Sequence, residues 1–159
     1  YGDVLTLRMD RGDPKQIIEA PQVKIAERSE DRMLKLGAQL GLASCYENGN
    51  GVEKDLVEAA MWYRMAAEQE HADAQFKLGL CCRDGLGTVQ NYEDAYRWFL
   101  KASVRLTGEM KSKCDESKSD LERNRLPQAL VLSLQREVSN WFSKSSRRDP
   151  KLDTAKRVS

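Results

Sequence analysis

The chain has 159 residues, with 26 Lys and Arg against 25 Asp and Glu and a formal net charge of +1. A chain of this length buries roughly two-thirds of its unfolded surface, which supports one domain without metal or disulfide staples. Charged residues at 32 %, and short apolar runs such as 129–131, exclude both a low-complexity chain and a membrane-spanning helix. The charge is uneven along the chain. Residues 1–35 balance seven basic with seven acidic groups, residues 36–103 hold six against ten, and residues 104–159 hold thirteen against eight. An acidic centre followed by a basic end is not the gathered positive face of a nucleic-acid platform, so no nucleic-acid partner is expected.

In chain order, the alternation Val4-Leu5-Thr6-Leu7-Arg8-Met9 fits a short strand or an extended arm. Arg11-Gly12-Asp13 reads as a turn, with Asp13 as a helix N-cap and Pro14 at the first helical position. Lys15 to Arg32 is helical in pattern but interrupted by Pro21, which predicts two short helices or one bent one, with the character of a terminal cap.

From about Met33 a helix is predicted whose small residues Ala38, Gly41 and Ala43 form a tightly packing face and which stops at Asn48-Gly49. Asp55 caps the next helix, in which Leu56, Ala59, Trp62, Tyr63 and Ala66 fall at helical spacing. The same plan returns from Ala72 to Asp84 and from Asn91 to Ser103. Ala38, Gln39, Gly49, Gly51, Ala59, Trp62 and Ala66 recur as Ala74, Gln75, Gly85, Gly87, Ala95, Trp98 and Ala102, each at an offset of 36. A period in the thirties with fixed small and aromatic positions marks an array of helical hairpins, which must stack because no single pair closes a core. Beyond residue 103, Leu106, Met110, Cys114 and Leu121 predict a further helix, and Pro127 opens another in which Leu130, Val131, Leu134, Val138, Trp141 and Phe142 share a face. Trp141-Phe142 echoes Trp98-Phe99 at a spacing of 43, so this unit reads as degenerate. The divisions are therefore 1–32 (arm and cap), 33–70 and 71–103 (repeats), 104–143 (degenerate repeat and closing helix) and 144–159 (flexible basic tail).

These landmarks resemble the Sel-one-like repeat (SLR) branch of the tetratricopeptide-like superfamily. The first copy carries Ala38, Leu42, Ala43, Tyr46, Gly49, Gly51, Val52, Asp55, Ala59, Trp62, Ala66 and Ala67; the second carries Ala74, Leu78, Gly79, Gly85, Gly87, Ala95, Trp98 and Ala102. It departs from the family at Cys82, Thr88, Asn91 and Ser103. The resemblance implies an all-α fold, a short right-handed α-solenoid of antiparallel helix pairs, that acts without catalysis as a scaffold or adaptor for a protein or peptide, mostly in bacteria. It places the binding surface on the inner groove, at Leu40, Ser44, Glu47 and Asn48 of the first repeat and Asp73, Phe76, Leu80, Arg83 and Asp84 of the second. Exposed Leu40, Phe76 and Leu80 would suit an amphipathic or extended peptide. The family also contains secreted cysteine-rich proteins, some of which bind penicillin, which supplies an alternative function in penicillin binding or the cell wall. Those relatives use a cysteine pair within each repeat, and these repeats lack it.

Catalytic and metal chemistry find little support. Cys45, Cys81, Cys82 and Cys114 lack the paired spacing of structural zinc ligands, and buried free thiols in a reducing, cytoplasmic compartment are expected. Because the sequence starts at Tyr1, an export signal removed earlier stays compatible with it. His71, the only histidine, falls between the repeats, where a role in ending a helix is expected. No cofactor and no metal are expected. A short array with two regular repeats is open to end-to-end self-association through its caps.

Overall fold

The computed structural model describes residues 25–28 and 30–147. The extended arm at residues 4–9, the Asp13 cap and the Pro21 bend lie outside the described residues, as does the chain from residue 148. A helical stretch at 25–28 precedes six helices: α1 (Arg32–Asn48), α2 (Leu56–Glu68), α3 (Ala72–Asp84), α4 (Tyr92–Ser103), α5 (Gly108–Asn124) and α6 (Gln128–Arg147). Each of the first four packs on its neighbour in sequence, and α5 and α6 both pack on α4. The described residues form an α-solenoid of helix pairs.

The caps explain the boundaries. Asp31 and Asp55 accept hydrogen bonds from the second and third backbone N–H groups of α1 and α2, and Asn91 accepts one from Asp94 in α4. His71 serves two helices: its backbone N–H donates to the Ala66 carbonyl in the last turn of α2, and its Nδ1 accepts from the N–H of Ala74 to cap α3, a role the sequence reading did not expect. Gly49 and Gly85 close α1 and α3, and the two loops are then pinned identically, Asp55 N–H donating to the Tyr46 carbonyl and Asn91 N–H to that of Cys82. The basic tail expected from residue 144 is partly helical, since α6 runs on to Arg147.

The period of 36 does not lapse in the third unit. Leu56, Tyr92 and Gln128 begin α2, α4 and α6 at that interval, and Ala72 and Gly108 begin α3 and α5 at the same one. Buried positions follow: Leu42, Leu78 and Cys114; Ala59, Ala95 and Val131; Ala66, Ala102 and Val138. Leu134, 1 % exposed, stands where Trp62 and Trp98 stand in the repeats. Trp141-Phe142 is therefore not the displaced copy of Trp98-Phe99. What changes is the linker, where α5 runs on to Asn124 and replaces the glycine loop with another helical turn.

A polar link also recurs, buried at the two glutamines and half-buried at the lysine. Gln39 Nε2 donates to the Ala26 carbonyl at 2.8 Å, Gln75 Nε2 to the Ala67 carbonyl at 3.2 Å, and Lys111 Nζ, at the third equivalent position, to the Ser103 carbonyl at 2.9 Å. Each ties the first helix of a unit (α1, α3 and α5, the first-type helices; α2, α4 and α6 are the second-type) to the chain before it. Burying an amide is tolerable only when it is bonded, so the link also fixes the register of one unit on the next.

Candidate functional site

The predicted site residues sort into three environments. Phe76 is 5 % exposed and packs against Phe99 with ring centroids 5.8 Å apart, which corrects its expected exposure. The cause is Gly79. A Cβ there would stand 2.6 Å from the Phe99 ring, so only glycine lets α4 press that ring onto α3 and cover Phe76. Gly41, expected in a packing face, is exposed, and a Cβ at that position would meet nothing within 4 Å, so the tight approach belongs to Ala43, Ala74 and Gly79.

Leu40 and Leu80 are half-buried against the core, whereas Ser44, Asn48, Asp73 and Asp84 are exposed. Glu47 accepts from the Tyr63 hydroxyl at 2.6 Å and pairs with Lys77 at 3.4 Å, joining α1 to α3. Arg83 and Asp84 are one ion pair: Nε and Nη2 of the guanidinium donate to the two carboxylate oxygens, both at 2.9 Å, and Nη1 reaches Ser117 Oγ on α5 at 3.3 Å. That pairing lowers the Asp84 pKa and raises that of Arg83. Asn48 turns back on its own helix to Ser44.

Between α3 and α5 runs an open groove of about 610 Å³. Phe76, Leu80 and Arg83 line it from α3, while Asp73 stands apart in a smaller cleft beside Arg105 and Thr107. Leu40, Ser44, Glu47 and Asn48 do not line it. The sequence reading missed the opposite wall, which α5 supplies with Met110, Lys113, Glu116, Asp120 and Arg123. A signal for that wall existed in the 36-residue register, because Leu80 is equivalent to Glu116 and Lys77 to Lys113. Lys77 and Arg83 of α3 face Lys113, Glu116, Asp120 and Arg123 of α5 across an apolar floor, and Lys77, Arg83 and Lys113 are paired with Glu47, Asp84 and Glu109. Among the described residues Arg123 has no ion-pair partner, since its Nε donates only to the Ser119 carbonyl.

All four cysteines are free, Cys82 and Cys114 buried and Cys45 and Cys81 half-buried. Burial pushes the Cys81 and Cys114 thiols up to about 11, and the Cys114 thiol donates to the Phe99 carbonyl. Among the described residues no cluster of histidine, cysteine and carboxylate groups is arranged to hold a metal, and no helix is long and apolar enough to cross a membrane.

Comparison with known proteins agrees with this architecture. The Sel1 repeat family matches residues 36–71 and 72–103. Chitin synthase regulatory factor 2 of Schizosaccharomyces pombe is 36 % identical over 63 residues, 39 % of this chain and 12 % of that protein. Chitin synthase regulatory factor 3 of the same yeast is 28 % identical over 81 residues, 50 % of this chain and 9 % of that protein. The chain thus spans about a tenth of the length of these relatives. Among solved structures, a Sel1 repeat protein from Oxalobacter formigenes superposes with a TM-score of 0.53 at 26 % identity, over 82 % of this chain and 51 % of that one. The SLR-fold protective antigen c5321 of uropathogenic Escherichia coli gives 0.55 at 21 % identity, over 91 % of this chain and 35 % of that one, a likeness of fold. Relatives from a yeast and structures from bacteria mean that the repeat is no bacterial signature. The chain thus carries two Sel1 repeats, at 36–71 and 72–103, within an α-solenoid of the kind seen in solved Sel1 repeat proteins.

Proposed function

We propose that the chain is a non-catalytic interaction scaffold that holds a segment of a partner protein in the groove between α3 and α5. The observation that carries this reading is the groove itself: an apolar floor at Leu80 and Met110, with Arg123 on its wall outside any ion pair among the described residues. Such a surface fits a short peptide with an apolar anchor and acidic flanks, because the anchor is desolvated on the floor while the charges orient it. The curated relatives are regulatory factors by name, which accords with action through a partner. Two buried free thiols accord with a reducing, cytoplasmic setting and count against the cysteine-paired, penicillin-binding alternative.

The test is a selection from a random peptide library displayed on phage. Leu80→Glu with Arg123→Glu serves as the counter-target, since both side chains line the groove and neither is fully buried. Phe76 is unsuitable for this purpose because its substitution would open the core. The expected outcome is enrichment of peptides with an apolar residue flanked by Asp or Glu that the double variant fails to retain. Peptides retained equally by both proteins would overturn the groove.

A further inference from the structure

On the other side of α4 a second pocket, of about 350 Å³, opens between α4 and α6. Its wall includes Arg97 and Lys101 from α4 and Glu137, Val138, Trp141 and Lys144 from α6. The Lys101 ammonium lies over two indole rings, 4.8 Å from the centroid of Trp98 and 4.3 Å from that of Trp141. Two aromatic faces hold the cation in place without neutralising it. Glu137 is engaged by Arg97 at 3.1 Å, and Arg97 also binds Asp94 at 2.8 Å. Among the described residues neither Lys101 nor Lys144 has a carboxylate within ion-pair distance.

The position is particular to the second repeat. The first repeat has Met65 at the place equivalent to Lys101 and Met61 at the place equivalent to Arg97. Two thioethers have thus become two cations where α6 brings in Trp141. Arg97 spends its charge on Asp94 and Glu137, whereas the half-buried Lys101 ammonium gives up hydration and meets only the two indole faces. Burial accordingly pulls the Lys101 pKa below the ordinary lysine value, an effect that a bound anion would reverse.

We propose that this pocket is a second binding site, for an organic anion that joins a carboxylate to a flat apolar group. The carboxylate sits between the Lys101 and Lys144 ammonium groups, and the flat group lies on Trp141 and Val138. A cavity of this size suits a small ligand, with apolar walls for area and a few charges for orientation. Such a group reaches the pocket either as a free aryl carboxylate or as the C-terminal aromatic residue of a peptide.

The experiment follows the three indole N–H signals by NMR while the chain is titrated with phenylacetate, phenylacetamide or acetate. Phenylacetate is expected to shift Trp98 and Trp141 saturably and leave Trp62 in place. Loss of the charge in phenylacetamide, or Lys101→Met, is expected to weaken binding by at least about tenfold. Methionine is what the first repeat carries at this place, so Lys101→Met keeps the fold, and an unchanged urea midpoint verifies it. A peptide with a free C-terminal Phe that binds more than about tenfold tighter than phenylacetate assigns the site to chain termini; equal affinity assigns it to free acids. Equal binding of phenylacetamide, full binding by Lys101→Met, or shifts that never saturate would each overturn the proposal.

Discussion

Alanine at Gly87 and alanine at Gly37 have opposite expected effects. Gly87 has φ +73°, and a Cβ there would stand 1.9 Å from the Leu56 carbonyl oxygen, because the loop of the second repeat lies on the first turn of α2. Left-handed backbone strain and a clash with main chain together cost about 2–4 kcal/mol, so the urea midpoint of Gly87→Ala falls sharply. Gly37 is exposed within α1 with nothing near it, and Gly37→Ala is expected to stabilise by about 0.5–1 kcal/mol through helix propensity. The 36-residue recurrence marks Gly87 as the counterpart of Gly51 but could not reveal its neighbour, which arrives from the preceding repeat. The same holds for Phe76, whose burial depends on a ring that α4 brings through the gap at Gly79. A second expectation at this scale concerns pH. The folded Cys81 and Cys114 thiols have pKa values raised from 9.0 to about 11, chiefly by burial, so folding favours the neutral thiol. Their contribution is complete below pH 9.0 and is lost as pH rises through about 11. Urea midpoints taken across that window are expected to decline, with a shallower decline in Cys114→Ala.

Among the helices, the third unit shows what identity-based matching of repeats overlooks. Its buried side chains are aliphatic where the family repeats carry Ala and Trp, so Val131, Leu134 and Val138 preserve the spacing while erasing the motif. Aromatic residues at 141 and 142 then suggested a register of 43. The Asp55 cap and the first residues of α2 and α3, which depend on backbone hydrogen bonds more than on side-chain identity, were legible almost to the residue, whereas the His71 cap of α3 was not. The register makes a prediction. Leu134→Ala is expected to cost about 2–4 kcal/mol as a cavity in the core, and Leu132→Ala, at a side chain 53 % exposed, less than about 0.5 kcal/mol. Equal losses at the two positions would refute the 36-residue register of α6. Gln75→Leu tests the recurring polar link: it removes the donor to the Ala67 carbonyl and is expected to cost about 1–2 kcal/mol.

At the scale of the whole molecule, the solenoid separates two surfaces. First-type helices α3 and α5 frame the groove, and second-type helices α4 and α6 frame the aromatic pocket, so each can be disabled without the other. The groove was half legible in advance. Phe76, Leu80 and Arg83 on its α3 wall were among the residues that the resemblance implied, and its α5 wall was not, because charged residues at 113, 116, 120 and 123 look like any solvated helix face until their partner across the gap is known. Electrostatic orientation of an acidic segment also predicts salt dependence, with affinity falling as exposed charges are screened. The most direct measurement is calorimetric titration of a selected acidic peptide into the wild type and into Leu80→Glu with Arg123→Glu, alongside urea midpoints for both. A loss of at least about thirtyfold in affinity with an unchanged midpoint is the predicted result, since an apolar contact and a charge pair are removed together. Equal affinity in the two proteins would contradict a scaffold that works through the α3–α5 groove.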